Sequence, residues 1–129
     1  MRLLLDTHIA LWLVREPGVL RPAELAAIEG SEPLVSAISL WELRLKWDRV
    51  TASGARKGPA DPLEIRTGLE ILGVNILPLV PDQAAASLKH PIPHRDPFDE
   101  MLLIQAQELG AKLLTRDRLL IDHPLAIAS

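Results

Sequence analysis

The sequence contains no cysteine. Disulfides, thiolate zinc sites and cysteine nucleophiles are thereby excluded. It contains no tyrosine and a single phenylalanine, Phe98; three tryptophans (Trp12, Trp41, Trp47) complete the large aromatics. Leucine, isoleucine, valine and alanine therefore supply nearly all the apolar volume. No apolar run approaches the ~20 residues needed to span a bilayer. The N-terminal "MRLLLD" reaches Asp6 too early for a signal-peptide core. A cytoplasmic protein with no membrane association is expected. A basic excess is also missing, for the net charge is -3. Nucleic-acid binders usually carry such an excess, so bulk charge argues mildly against one. It does not exclude one, because metal-binding carboxylates lower the net charge while their bound cation inverts the local field.

What is present is a chain of 129 residues, 48 % hydrophobic and 24 % charged, which fits one folded domain over 1–129 with a real core. Apolar runs of strand length alternate with amphipathic runs of helix length, the pattern of a parallel α/β domain. Strands are expected at residues 2–6, 33–37, 74–79, 111–115 and 124–128. Helices are expected at 8–16, 22–30, 39–50, 62–73, 81–90 and 98–110, with 116–123 a short helix or turn. Asp82 is the expected cap of the helix at 81–90. The Gly-, Pro- and Lys/Arg-rich segment 51–62 is the expected mobile region. There is no internal repeat.

In an open parallel sheet, sites form beyond the carboxyl ends of the strands. Four acidic residues fall there. Asp6 follows "LLL". Glu42 is expected in the first turn of the helix after "PLVSA". Asp99 is expected in the first turn of the helix leading into "AKLLT", and Asp117 follows that strand one residue on. Such a cluster is costly without a cation, because neighbouring like charges oppose ionisation. Mg²⁺ and Mn²⁺ prefer oxygen ligands, and Mg²⁺ keeps waters through which it binds phosphates. A cysteine-free, acid-rich set suits metal-assisted phosphodiester hydrolysis.

Helix capping competes with this reading at each position. Ser39-Leu40-Trp41-Glu42 matches a capping box with Ser39 as cap. In "HRDPFDE", residues 94–100, Asp96 caps, Pro97 opens the helix and Asp99 faces the helix dipole. Asp117 could cap the short run after it. Asp6 resists such an account, since an aspartate ending a buried strand is costly unless paired or at a surface site. Four acids at matching strand-end positions favour a site.

Other polar candidates are weaker. Thr7 and Thr115 could position a water or cap a helix. Lys46, one turn after Glu42, could touch phosphate or pair with Glu42. Arg95, Arg116 and Arg118 stand beside acidic positions, where a phosphate backbone would need counter-charge. His8 reads as structural, and His90, His94 and His123 lack metal-type spacing. The tryptophans read as core or partner packing.

The segments "LLLDTHIALWL", "SAISLWELRLK" and "HRDPFDEMLLIQAQELGAKLLTRD", in that order and over essentially the whole chain, resemble PIN-domain proteins, and more narrowly the VapC-type toxins of bacterial toxin–antitoxin pairs. The resemblance implies a PIN-like three-layer sandwich, a parallel sheet of four to five strands flanked by helices. It implies a Mg²⁺- or Mn²⁺-dependent endoribonuclease acting on RNA, with Asp6, Glu42, Asp99 and Asp117 as catalytic acids. Asp6, Asp99 and Asp117 would hold the metal, and Glu42 would bind it or orient the attacking water. Thr7, Lys46, Arg95, Thr115 and Arg116 are the candidate substrate contacts. A cognate antitoxin and a homodimer or toxin–antitoxin hetero-oligomer are the implied partners. Position 100 is Glu100, where related sequences often carry arginine. The competing readings are a catalytically inert PIN-like binding protein and a receiver-type signalling domain.

Overall fold

Leu3, Leu4 and Leu5 are all completely buried. Successive strand residues point to opposite faces, so both faces of this strand must be covered, as they are in all-parallel sheets. The computed structural model describes residues 1–55 and 58–128. Its sheet has five parallel strands: β1 (Arg2–Leu5), β2 (Glu32–Ser36), β3 (Asn75–Leu77), β4 (Lys112–Leu114) and β5 (Ala126–Ile127), in the order β3-β2-β1-β4-β5. The helices are α1 (Thr7–Arg15), α2 (Pro22–Glu29), α3 (Ala37–Trp47), α4 (Pro62–Ile71), α5 (Pro81–Ala84) and α6 (Pro97–Leu109).

The alternation of strand side chains divides the core. Leu3, Leu5, Val35 and Leu114 pack with Ile9 of α1, Ile28 of α2 and Ile65 and Leu69 of α4. Leu4, Leu34 and Leu113 pack on the other face with Leu102, Leu103 and Ala106 of α6. Helix α3 serves both layers, with Leu43 in the first and Ile38 in the second. The result is the parallel α/β domain that the alternation of runs predicts, in the three-layer sandwich that the resemblance implies.

Topology places the site. From β1 the chain steps to β2 and β3 on one side, then returns to β4 and β5 on the other. The order therefore reverses between β1 and β4, and a crevice opens there beyond the strand carboxyl ends. Flavodoxin-like sheets such as the receiver run 2-1-3-4-5, so the observed order rules out the receiver-type reading.

Several expectations are corrected. Helix α3 starts at Ala37, not residue 39, because β2 runs directly into it. Buried Ser36 caps it, accepting from Ile38 N at 3.0 Å. The Ser39–Glu42 capping box does not form, and Glu42 stands in the second turn. The helix expected at 81–90 ends at Ala84. Gln107 claims backbone groups of the chain beyond it: its Nε2 donates to Ser87 O at 3.0 Å, and its Oε1 accepts from Lys89 N at 2.9 Å. Pro91 further disfavours helix in the residue before it. Val80, not Asp82, occupies the cap position of α5. β3 and β5 are shorter than the runs 74–79 and 124–128, and residues 118–125 form turns and a bend. Of the segment 51–62, residues 56–57 lie outside the described residues, while Ala60 is buried and Asp61 caps α4. No helix among the described residues is long and apolar enough to cross a membrane.

Candidate active site

Asp6 leaves β1 at the switch point, its N–H donating to Leu114 O at 3.0 Å. It also caps α1: Oδ1 accepts from Thr7 N at 2.8 Å. Its Oδ2 accepts from the Thr115 hydroxyl at 2.6 Å. Both oxygens are thus engaged on a residue that is 7 % exposed. Burial raises the Asp6 pKa, and the Thr115 and Thr7 hydrogen bonds oppose that rise.

Asp117 stands beyond the end of β4. Its N–H donates to Thr115 Oγ1 at 3.0 Å, and its Oδ1 accepts from Leu119 N at 2.9 Å. Thr115 Oγ1 is therefore a bridge between the two strand ends. Glu42 reaches the same edge from α3. Thr7 Oγ1 donates to Glu42 Oε1 at 2.8 Å and lies 2.9 Å from the Ser39 hydroxyl. Lys46 Nζ donates to Glu42 Oε2 at 3.1 Å.

Asp99 enters from α6. Asp96 caps this helix, Oδ1 accepting from Phe98 N at 2.9 Å and Asp99 N at 3.3 Å. That leaves the Asp99 side chain for other partners. Its Oδ2 lies 3.0 Å from His94 Nε2. Burial first, and then the negative charges of Asp96, Asp6 and Asp117, push its carboxyl up to about 6 against the His94 hydrogen bond. Asp6 in turn feels the charge of Glu42. The four acids are thus linked electrostatically from four separate parts of the chain.

Asp6 and Asp117 line a cleft of about 320 Å³ with His8, Ile9, Trp12 and Arg116. Two carboxylate oxygens, Asp99 Oδ1 and Asp117 Oδ2, carry no hydrogen bond among the described residues, and neither is a buried unpaired atom. They are free to meet a solvated ligand. No three acidic or histidine side chains among the described residues are gathered closely enough to enclose an ion. The donor set suits a hard cation that takes one or two carboxylates and keeps its waters, as Mg²⁺ does. It does not suit a cage of direct protein ligands.

The substrate candidates fare differently. Thr7 and Thr115 are buried connectors between acids. Lys46 is tied to Glu42, and Arg95 is exposed at the start of the Asp96 turn. Arg116 is committed elsewhere. Its Nε donates to Glu24 Oε2 at 2.7 Å and its Nη2 to Glu24 Oε1 at 2.5 Å and Val19 O at 2.7 Å. Its guanidinium also lies 4.6 Å from the centre of the Trp12 ring. Glu24 is fully buried, and Arg116 holds its carboxyl below the ordinary range. His8, read as structural, is exposed in the cleft with its ring 5.8 Å from that of Trp12.

Sequence reasoning missed His94 and Glu24. His94 meets Asp99 across a turn and a helix cap, which no periodicity encodes. Glu24 shows only as an acid in a helix's first turn, while its partner lies 92 residues away.

The PIN domain family matches residues 3–124, and this chain belongs to it. Ribonuclease VapC22 of Mycobacterium tuberculosis (strain ATCC 25618 / H37Rv) is 36 % identical over 124 residues, covering 93 % of this chain and 90 % of that protein. The fold is shared with a toxin–antitoxin complex from Klebsiella pneumoniae (TM-score 0.62, 22 % identity, 96 % of this chain and 94 % of that one). It is shared also with DNA-bound VapBC from Salmonella typhimurium (TM-score 0.64, 15 % identity, 100 % of this chain and 97 % of that one).

Proposed function

We propose that this PIN-domain protein is a VapC-type toxin, an endoribonuclease that hydrolyses RNA phosphodiester bonds with Mg²⁺ or Mn²⁺ at the strand-end acids. The observation that carries the reading is the convergence of Asp6, Glu42, Asp99 and Asp117 at the switch point, two of them with a free carboxylate oxygen. The extended match to Ribonuclease VapC22 supports RNA as the substrate.

Asp6, Asp99 and Asp117 would hold the cation, directly or through water. When bound, the cation supplies a nucleophilic water at neutral pH and neutralises charge on the scissile phosphate. The protein's own part is positional. Thr115 and Thr7 fix Asp6, Thr115 also fixes the Asp117 backbone, and Thr7 with Lys46 fixes Glu42 at the rim. Glu42 there would bind the cation or orient the attacking water. Because Lys46 and Arg116 already answer carboxylates, Arg95 is the proposed free cation for the RNA backbone. An antitoxin is the proposed protein partner, as in the complexes that share this fold.

The test is cleavage of a mixed RNA pool by the purified protein. Asp6→Asn and Asp99→Asn are expected to abolish cleavage while keeping a cooperative melt, and excess chelator is expected to silence the native protein. Full activity in both variants, or in chelator, overturns the reading. No divalent-cation binding and no cleavage in the native protein would favour the inert binding protein instead.

A further inference from the structure

We propose that His94 is a positioning residue for Asp99, holding one carboxylate oxygen so that the other is the one offered to a divalent cation. This rests on the metal-dependent reading above.

The turn before α6 has two separate tasks. Asp96 satisfies the backbone N–H groups of Phe98 and Asp99, which sets the path of the chain. It does nothing for the Asp99 side chain. A carboxylate has two equivalent oxygens and a broad, two-fold terminal torsion, so a fixed backbone alone leaves its orientation open. His94 removes that freedom. Its Nε2 lies 3.0 Å from Asp99 Oδ2, and the two side chains are only 19 % and 14 % exposed. Oδ1 is then the unengaged oxygen. Ligating carboxylates and histidines characteristically have such outer hydrogen-bond partners, and their loss costs 10–100-fold in metal affinity.

A purely structural role explains His94 poorly. Its other ring nitrogen, Nδ1, is buried and has no hydrogen-bond partner among the described residues. An unpaired buried nitrogen costs stability, so an apolar residue would suit this position better if packing were its only duty. Asp99 is also the partner that orients the imidazole, since no hydrogen bond from Nδ1 fixes the ring. The residue carries a polar cost at one nitrogen and makes its polar contact at the other, on a candidate metal ligand.

The experiment is Mn²⁺ titration calorimetry on the whole chain at one fixed pH, with RNA cleavage and chelator-treated melts alongside. His94→Gln keeps an amide donor at similar reach; His94→Asn is shorter by one methylene. The expected result is Mn²⁺ binding weakened about 10–100-fold in His94→Asn and His94→Leu, and largely restored in His94→Gln. At subsaturating Mn²⁺, kcat falls in the same order while KM for RNA is unchanged. Metal-free melts of all three variants stay cooperative, so the loss read by calorimetry is one of metal binding and not of folding. If all three variants bind Mn²⁺ as the native protein does, the positioning role is wrong while the metal reading stands. If the native protein itself binds no Mn²⁺, the metal reading falls and this inference with it.

Discussion

The Thr115 hydroxyl donates to Asp6 Oδ2 at 2.6 Å, joining the ends of two neighbouring strands that lie 109 residues apart in the chain. Both residues are buried, and the same Oγ1 accepts the Asp117 N–H at 3.0 Å. One threonine therefore stabilises a buried carboxylate and sets the turn that carries a second one. Thr115→Val keeps the shape and removes both bonds. It is expected to lower stability by about 2 kcal/mol, the cost of leaving a buried charged acceptor short of a partner. It should also raise the Asp6 pKa further, because the Thr115 bond is the largest force holding it down. Urea denaturation checks this, with Thr115→Ser expected to recover most of the loss. An unchanged midpoint in the valine variant would contradict it.

Asp99 makes stability depend on pH. Its carboxyl stands at about 6 in the folded protein against an ordinary 3.8, with burial the main cause. The folded state therefore binds the proton more tightly than the unfolded state. The contribution is fully present below pH 3.8 and is lost as pH rises through about 6. A displacement of that size corresponds to at most about 3 kcal/mol. Asp99→Asn cannot ionise, so in chelator it is expected to be more stable than the native protein at pH 7.5, with the gap closing near pH 4. Thermal melts across that range decide it. A native melting temperature that does not fall between pH 4 and 7 would sink the argument.

Arg116 and Glu24 are predicted to matter for folding. Removing the arginine alone strands a fully buried carboxylate. Arg116→Met is expected to lower the melting temperature clearly, and Glu24→Leu combined with Arg116→Met much less, because no unpaired charge then remains. The pH sign is opposite to that of Asp99. Arg116 holds Glu24 below its ordinary 4.5, so the pair's contribution is full above that value and is lost as pH falls through the lowered one. The gap between Arg116→Met and the native protein should narrow on acidification. A double variant no more stable than the single one would be evidence against the pair.

Local chemistry made much of this legible in the sequence. "LLL" before Asp6 reads as a buried strand because no other short element keeps three consecutive leucines dry, and β1 follows it. Asp96-Pro97 reads as a helix start because proline's missing N–H is harmless there, and α6 begins at Pro97. The same logic failed at Ser39, where a serine three residues before a glutamate fits a cap box that the strand–helix junction made unnecessary. It failed again at 85–90, where backbone groups were claimed by Gln107 of a later helix.

The sequence by itself determined the parallel α/β class, the acids at strand ends and the helix that presents Asp99, because periodicity, caps and strand ends are local properties. Only the tertiary structure decided what each polar side chain is paired with. It gave Arg116 to Glu24 and His94 to Asp99, and it left Asp99 Oδ1 and Asp117 Oδ2 open. The reason is geometric: a hydrogen bond extends about 3 Å, and which groups come that close across tens of residues is set by how β1 and β4 meet at the switch point.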